Sequence, residues 1–136
     1  MTRFLLAALI SLTCTVGVFT AQGPPADIQA LYRAHQWFEL RAAITPASPA
    51  LLRAGVANAF NDRQTAERLL LEIIKSRPRP AFANDAYDML CQIYSRTGQY
   101  ARFLATYREW NSAFPDSPEL LREKENEEKF GGRPDL

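Results

Sequence analysis

Apolar residues recur three and four positions apart through residues 26–130, and short stretches rich in Pro, Gly, Asn or Asp separate these segments. Residues with this spacing share one face of an α-helix, so the pattern predicts amphipathic helices. The interruptions contain turn residues, and a proline ends a helix because it lacks a backbone donor. The sequence therefore predicts an all-α protein with helical hairpins at 26–44, 48–77 and 81–114 and a terminal helix near 118–129.

The hairpin at 81–114 has the clearest pattern. Large residues form one stripe on each of its helices, a turn at Gly98 joins them, and Pro115 ends the second helix. The stripes consist of Tyr87, Leu90, Cys91 and Tyr94, and of Phe103, Tyr107 and Trp110. We expect these side chains to form one buried cluster, joined to the preceding hairpin at Leu69, Leu70 and Ile73.

Three residues mark the architecture of the hairpin at 48–77. Ser48, followed by a proline, is a favoured helix start, with the serine as N-cap. Asp62 is expected to cap the second helix of this hairpin. Gly55 lies inside the first helix, where the missing side chain would let a neighbouring helix approach closely.

The two later hairpins also repeat at a fixed interval. Ala66 and Phe103 each stand twelve residues before a proline, and they are 37 positions apart. The turns expected at Asn61 and Gly98 are offset by the same 37 positions. A fixed period of this length indicates stacked helical repeats. The first hairpin, with its turn at His35, has the pattern of a truncated repeat.

The hairpin at 81–114 resembles a tetratricopeptide repeat at its aromatic, Leu, Gly-x-Tyr and Pro positions. The resemblance implies a right-handed solenoid of about two and a half repeats. It also implies a binding scaffold without catalytic chemistry. The chain departs from the family at Phe103 and Trp110, where alanine is usual and lets the helices close up.

In that family the first helix of each repeat lines a concave groove that holds a peptide or protein partner. The resemblance therefore implies partner-binding positions on the polar side of these helices: Asn58, Asp85, Asp88, Gln92, Ser95 and Arg96. Taken one by one, each of these residues is more typical of a solvated helix face than of a binding site. With so few repeats we expect a short groove and a modest affinity.

Residues 1–23 have the layout of a secretory signal peptide. Arg3 gives a positive start, and an uncharged, mostly apolar run from Phe4 to Phe19 precedes small residues. The run is shorter than the roughly 20 residues that span a bilayer comfortably. We predict an exported protein, periplasmic or secreted, that contacts the membrane only if the leader is an uncleaved anchor.

The cysteine count, the net charge and the motifs of the chain restrict the class of function that we expect. Loss of the leader would remove Cys14 and leave Cys91, which we expect to be a small buried hydrophobe. The remaining 15 basic and 15 acidic residues give no general attraction to nucleic acid. His35 is the one histidine, and no metal, nucleophile or phosphate-binding motif occurs. We expect no enzymatic activity, no catalytic residue, no metal and no cofactor.

The expected domain limits follow from these patterns. Residues 24–116 would form the repeat domain, and residues 117–136 a charged capping helix with a frayed end. The segment 122–129 is almost wholly charged with both signs interspersed, which is typical of a solvated helix.

A second resemblance covers about residues 28–115. The segments 31–41 and 56–62 and the pair Ala66-Glu67 are similar to the helical region before the protease domain in some exported bacterial retropepsin-like aspartic proteases. Such an enzyme needs an Asp-Thr/Ser-Gly loop, whereas the nearest string here is Arg96-Thr97-Gly98. The alternative function is therefore a stand-alone or truncated accessory region of such a protease, without the catalytic part.

Overall fold

A computed structural model describes residues 26–132, and every regular element in that range is an α-helix. The helices of this range are α1 (Ile28–Arg33), α2 (Trp37–Ala43), α3 (Ala50–Ala59), α4 (Arg63–Lys75), α5 (Ala83–Arg96), α6 (Tyr100–Ala113) and α7 (Glu119–Gly131). This confirms the all-α class, and α1 to α6 fall within the predicted hairpins. The predicted signal peptide at 1–23 and the predicted frayed end at 133–136 lie outside the described residues.

The same backbone turn joins the two helices of each hairpin. One residue in each turn has a left-handed backbone: φ is 55° at His35, 63° at Asn61 and 72° at Gly98. The amide of the next residue donates to the carbonyl five residues earlier, from Gln36, Asp62 and Gln99 to Leu31, Ala57 and Tyr94, at 3.0, 2.8 and 2.9 Å. This is the Schellman arrangement, which ends a helix and reverses the chain. The turns expected at these positions are confirmed.

Side-chain caps begin two of the helices. Oδ1 of Asp62 accepts from the amide of Thr65 at 3.1 Å, as predicted, and the hydrogen bonds to Thr65 lower the pKa of Asp62. Asp27 caps α1 in the same way. The predicted cap at Ser48 is wrong, because its Oγ accepts at 2.9 Å from the amide of Thr45 inside the loop. That hydrogen bond closes the turn before α3 instead of capping the helix.

The core is centred on α5, which packs against α4 on one side and α6 on the other. The stripe residues Tyr87, Leu90, Cys91, Tyr94, Phe103 and Trp110 are at most 2% exposed. They belong to one cluster with Leu69, Leu70 and Ile73, as predicted. Tyr107 is the exception: it is half-buried and lies at the rim, with its ring centroid 6.0 Å from that of Phe103.

The terminal helix α7 is more tightly packed than its charged sequence indicates. Leu120, Glu123 and Phe130 are buried, whereas Leu121 is exposed. The ring of Phe130 stacks on Tyr100 with centroids 4.1 Å apart. The expectation of a solvated helix is therefore wrong for one face of α7, which covers the open side of the last hairpin.

Candidate functional site

A groove of about 690 Å³ is lined by residues of α1, α3 and α5, together with His35 and Trp37. On α5 its floor consists of Met89 and of polar residues three or four positions apart, Asp85, Asp88, Gln92 and Arg96. This spacing sets them on one face of the helix. The opposite face carries the buried core stripe, so α5 is polar towards the groove and apolar towards the protein.

Helix α3 approaches α1 closely beside this floor. A Cβ built on Gly55 would lie 2.6 Å from Cε2 of Tyr32, which is closer than real Cβ contacts allow. The Tyr32 ring packs edge-on against Trp37, with centroids 5.7 Å apart. The close approach expected at Gly55 is confirmed, and it places two aromatic side chains along one wall of the groove.

The groove brings together five of the six residues predicted to bind a partner. Asn58 enters from α3, and Asp85, Asp88, Gln92 and Arg96 enter from α5. Ser95 does not line it, and its Oγ donates at 3.3 Å to the carbonyl of Gln92. The hydroxyl of Ser95 is thus engaged by the backbone of its own helix.

One end of the groove is acidic. Oδ2 of Asp88 accepts from Gln92 at 3.0 Å and from Arg122 of α7 at 2.9 Å. Its Oδ1 is buried and has no hydrogen-bond partner within residues 26–132. Asp85 is exposed and makes no side-chain hydrogen bond or ion pair in the same range. Although the residue is exposed, surrounding protein atoms partly desolvate its carboxylate. This desolvation, together with the nearby carboxylates of Glu119 and Asp88, raises the pKa of Asp85.

The other end of the groove is basic. Nε of Arg96 donates at 3.1 Å to the carbonyl of Gln92, and no carboxylate of residues 26–132 forms an ion pair with this guanidinium. A smaller pocket of about 150 Å³ adjoins it and is lined by Arg63 and Asn61 as well as by Asn58 and Arg96. Arg33 of α1 lies on the wall of the main groove.

The aromatic wall was not predicted as part of the site. Tyr32 is half-buried and lines the groove. His35 is exposed and stacks on Trp37, with centroids 5.3 Å apart and planes 13° apart. A sequence signal existed, since a glycine inside α3 leaves room for a neighbouring helix to approach closely. The pattern does not say which helix that is.

Cys91 on α5 is the free cysteine of the described residues. Cys91 is fully buried, and burial raises the pKa of its thiol, so the thiolate is disfavoured. Within residues 26–132 no three His, Cys, Asp or Glu side chains are grouped so as to hold a metal ion. Over the same residues no helix is both long and apolar enough to cross a bilayer. The groove can hold a ligand through charge, amide and aromatic contacts.

Comparison with known proteins identifies no relative: no family model matches the chain, and neither a curated protein nor a solved structure does. The two resemblances drawn from the sequence therefore stay predictions.

Proposed function

We propose that this protein is an exported, non-catalytic helical-repeat scaffold that binds a peptide or protein partner in the groove between α1, α3 and α5. The observation that carries the proposal is the convergence of five predicted contact residues on one groove. These residues line the same groove as Tyr32 and Trp37, and aromatic anchors beside polar contacts are typical of peptide-binding surfaces.

The proposed repeat architecture is a tetratricopeptide-like right-handed solenoid of about two and a half units. Support comes from the three hairpin turns, which share one backbone geometry and one hydrogen bond, and from the 37-residue offset between the last two. In such an array the first helices of successive hairpins lie side by side. The contact of α1 with α3 fits that arrangement, whereas α5 packs mainly against α4 and α6.

Binding can be tested with the purified full chain on an array of short synthetic peptides of random sequence. We expect a subset of peptides to bind and Ala59→Trp to abolish that binding, because Ala59 lines the groove and is exposed. Ala105→Trp is the matched control, since Ala105 is exposed on α6. Equal binding by both variants would place the peptides elsewhere and contradict the proposal.

Export is a separate part of the proposal and rests on residues 1–23. A fusion of residues 1–30 to a reporter that is active only after export should be active. Reporter activity confined to the membrane fraction would assign the leader as an uncleaved anchor, and a cytoplasmic reporter would refute export. The alternative role, as an accessory region of a retropepsin-like protease, stays a prediction.

A further inference from the structure

We propose that the groove selects peptides in which positive and negative side chains are segregated. A Lys or Arg would lie at the Asp85 end and an Asp or Glu at the Arg96 end. This inference rests on the proposed function, because it specifies the ligand of the same groove.

The acidic end lacks a cation for its exposed carboxylate. Arg122 is bound to Oδ2 of Asp88, and Asp85 has no ion pair within residues 26–132. Tyr32 of α1 lines the same groove as Asp85 and Asp88, and burial together with the fields of these two carboxylates raises the pKa of its hydroxyl. Carboxylates beside an aromatic face suit an ammonium or guanidinium group, which gains from both contacts.

The basic end shows the opposite imbalance. Arg96 and Arg63 line adjoining parts of the site, and neither forms an ion pair within the described range. The amides of Asn58 and Asn61 lie beside them and can donate to a carboxylate. A carboxylate side chain would therefore meet two cations and two amide groups here.

The helix dipole explains only part of this charge distribution. Asp85 in the first turn of α5 and Arg96 in its last turn both complement the dipole of that helix. Arg63, however, is the first residue of α4, where a positive charge opposes the dipole. Its placement beside Arg96 is unfavourable for the helix and favourable for an anionic ligand.

The length of α5 sets the spacing of the ligand charges. Asp85 and Arg96 are eleven residues apart on one helix, which corresponds to about 16 Å at the rise of an α-helix. An extended peptide covers this distance in about five residues. The probe is therefore a fluorescein-labelled peptide with two lysines at one end and two glutamates at the other, the inner lysine and the inner glutamate being about five positions apart.

The experiment compares this segregated peptide with an interleaved peptide of identical composition, by fluorescence anisotropy with the full chain. We expect the segregated peptide to bind more tightly, with a preference that shrinks as salt is added. Asp85→Asn and Arg96→Gln should each weaken its binding roughly two- to fivefold, the range for a solvent-exposed ion pair. Glu125→Gln and Arg108→Gln are matched controls, because both residues are exposed and lie on α7 and α6.

The outcomes separate the inference from the proposed function. Equal affinity for both peptides, unchanged by Asp85→Asn and Arg96→Gln but lost with Ala59→Trp, overturns charge selection and leaves peptide binding in place. No binding of either labelled peptide also overturns charge selection, and no binding across the random array overturns the proposed function itself. Circular dichroism of each variant confirms that a loss of binding does not come from unfolding.

Discussion

The hydroxyl of Tyr94 on α5 donates a 3.1 Å hydrogen bond to Oε1 of Glu67 on α4. Arg102 of α6 pairs with the same carboxylate, and its guanidinium lies over the Tyr94 ring, 4.7 Å from the centroid. The contact therefore connects three helices through one buried tyrosine. It satisfies the hydroxyl of a side chain whose ring is almost wholly inside the core.

A second tyrosine of α5 is held by the same kind of contact. The hydroxyl of Tyr87 donates at 2.7 Å to Oε1 of Glu109, and Arg79 donates to that oxygen at 3.1 Å. Both buried tyrosines thus reach a carboxylate at the protein surface that an arginine also contacts. The two arrangements connect α5 to α4 and to α6, through two tyrosines that are seven residues apart.

Alkaline pH should destabilise the fold through these tyrosines. Burial, reinforced by the carboxylate of Glu67, raises the pKa of Tyr94 from 10.0 to about 12. The folded state therefore retains the phenolic proton longer than the unfolded state, and stability present below pH 10 is lost as the pH rises towards 12. We expect the free energy of unfolding by urea to fall less steeply in this window for Tyr94→Phe than for the wild type. Parallel curves for the two proteins would contradict the assignment.

Phe103 should be a main determinant of stability. Its side chain is fully buried at the contact of α6 with α5 and α7. Phe103→Ala should lower the free energy of unfolding by about 3–5 kcal/mol, the usual cost of deleting a buried aromatic ring. Phe38→Ala is the matched control, because Phe38 is 77% exposed, and we expect a change within about 0.5 kcal/mol. Equal effects in chemical denaturation would show that Phe103 lies outside the core.

Phe130 should hold α7 against the last hairpin. Its ring stacks on Tyr100 and meets Phe103 edge-on, with centroids 5.7 Å apart. Phe130→Ala should raise amide hydrogen exchange in residues 119–131 while α3 and α4 stay protected, because local opening follows loss of packing. Leu121→Ala, at an exposed position of the same helix, should leave exchange unchanged. Unaltered exchange in the Phe130 variant would mean that other contacts hold the helix.

Gly98 should be required by the backbone of its turn. Its φ is 72°, and a Cβ built there would meet nothing within 4 Å, so only the conformation opposes a side chain. Gly98→Ala should lower the free energy of unfolding by roughly 1 kcal/mol, the cost of a left-handed alanine. Gly132→Ala has equal space and φ near −90°, so its thermal midpoint should match that of the wild type. A neutral Gly98→Ala would indicate that the turn relaxes.

Much of the local structure could be predicted because it depends on neighbours in the chain. The 3.6-residue period of a helix determines that Asp85, Asp88, Gln92 and Arg96 share one face, whatever the rest of the chain does. Turn and capping preferences are also local, and they predicted the turns at Asn61 and Gly98 and the cap at Asp62. The capping preference failed at Ser48, where a loop hydrogen bond to Thr45 competes with capping.

Contacts between distant segments depended on the tertiary structure. Arg122 reaches Asp88 across 34 positions, and Glu123 is buried in a segment whose composition is that of a solvated helix. The aromatic wall beside Gly55 likewise depends on how α1 crosses α3. Side-chain spacing within one helix follows from local geometry. Which faces meet depends on helix crossing angles, set by packing of the whole core. The sequence by itself therefore determined the helices, their turns and the polar face of α5, and only the tertiary structure decided that this face would line a groove with opposite charges at its two ends.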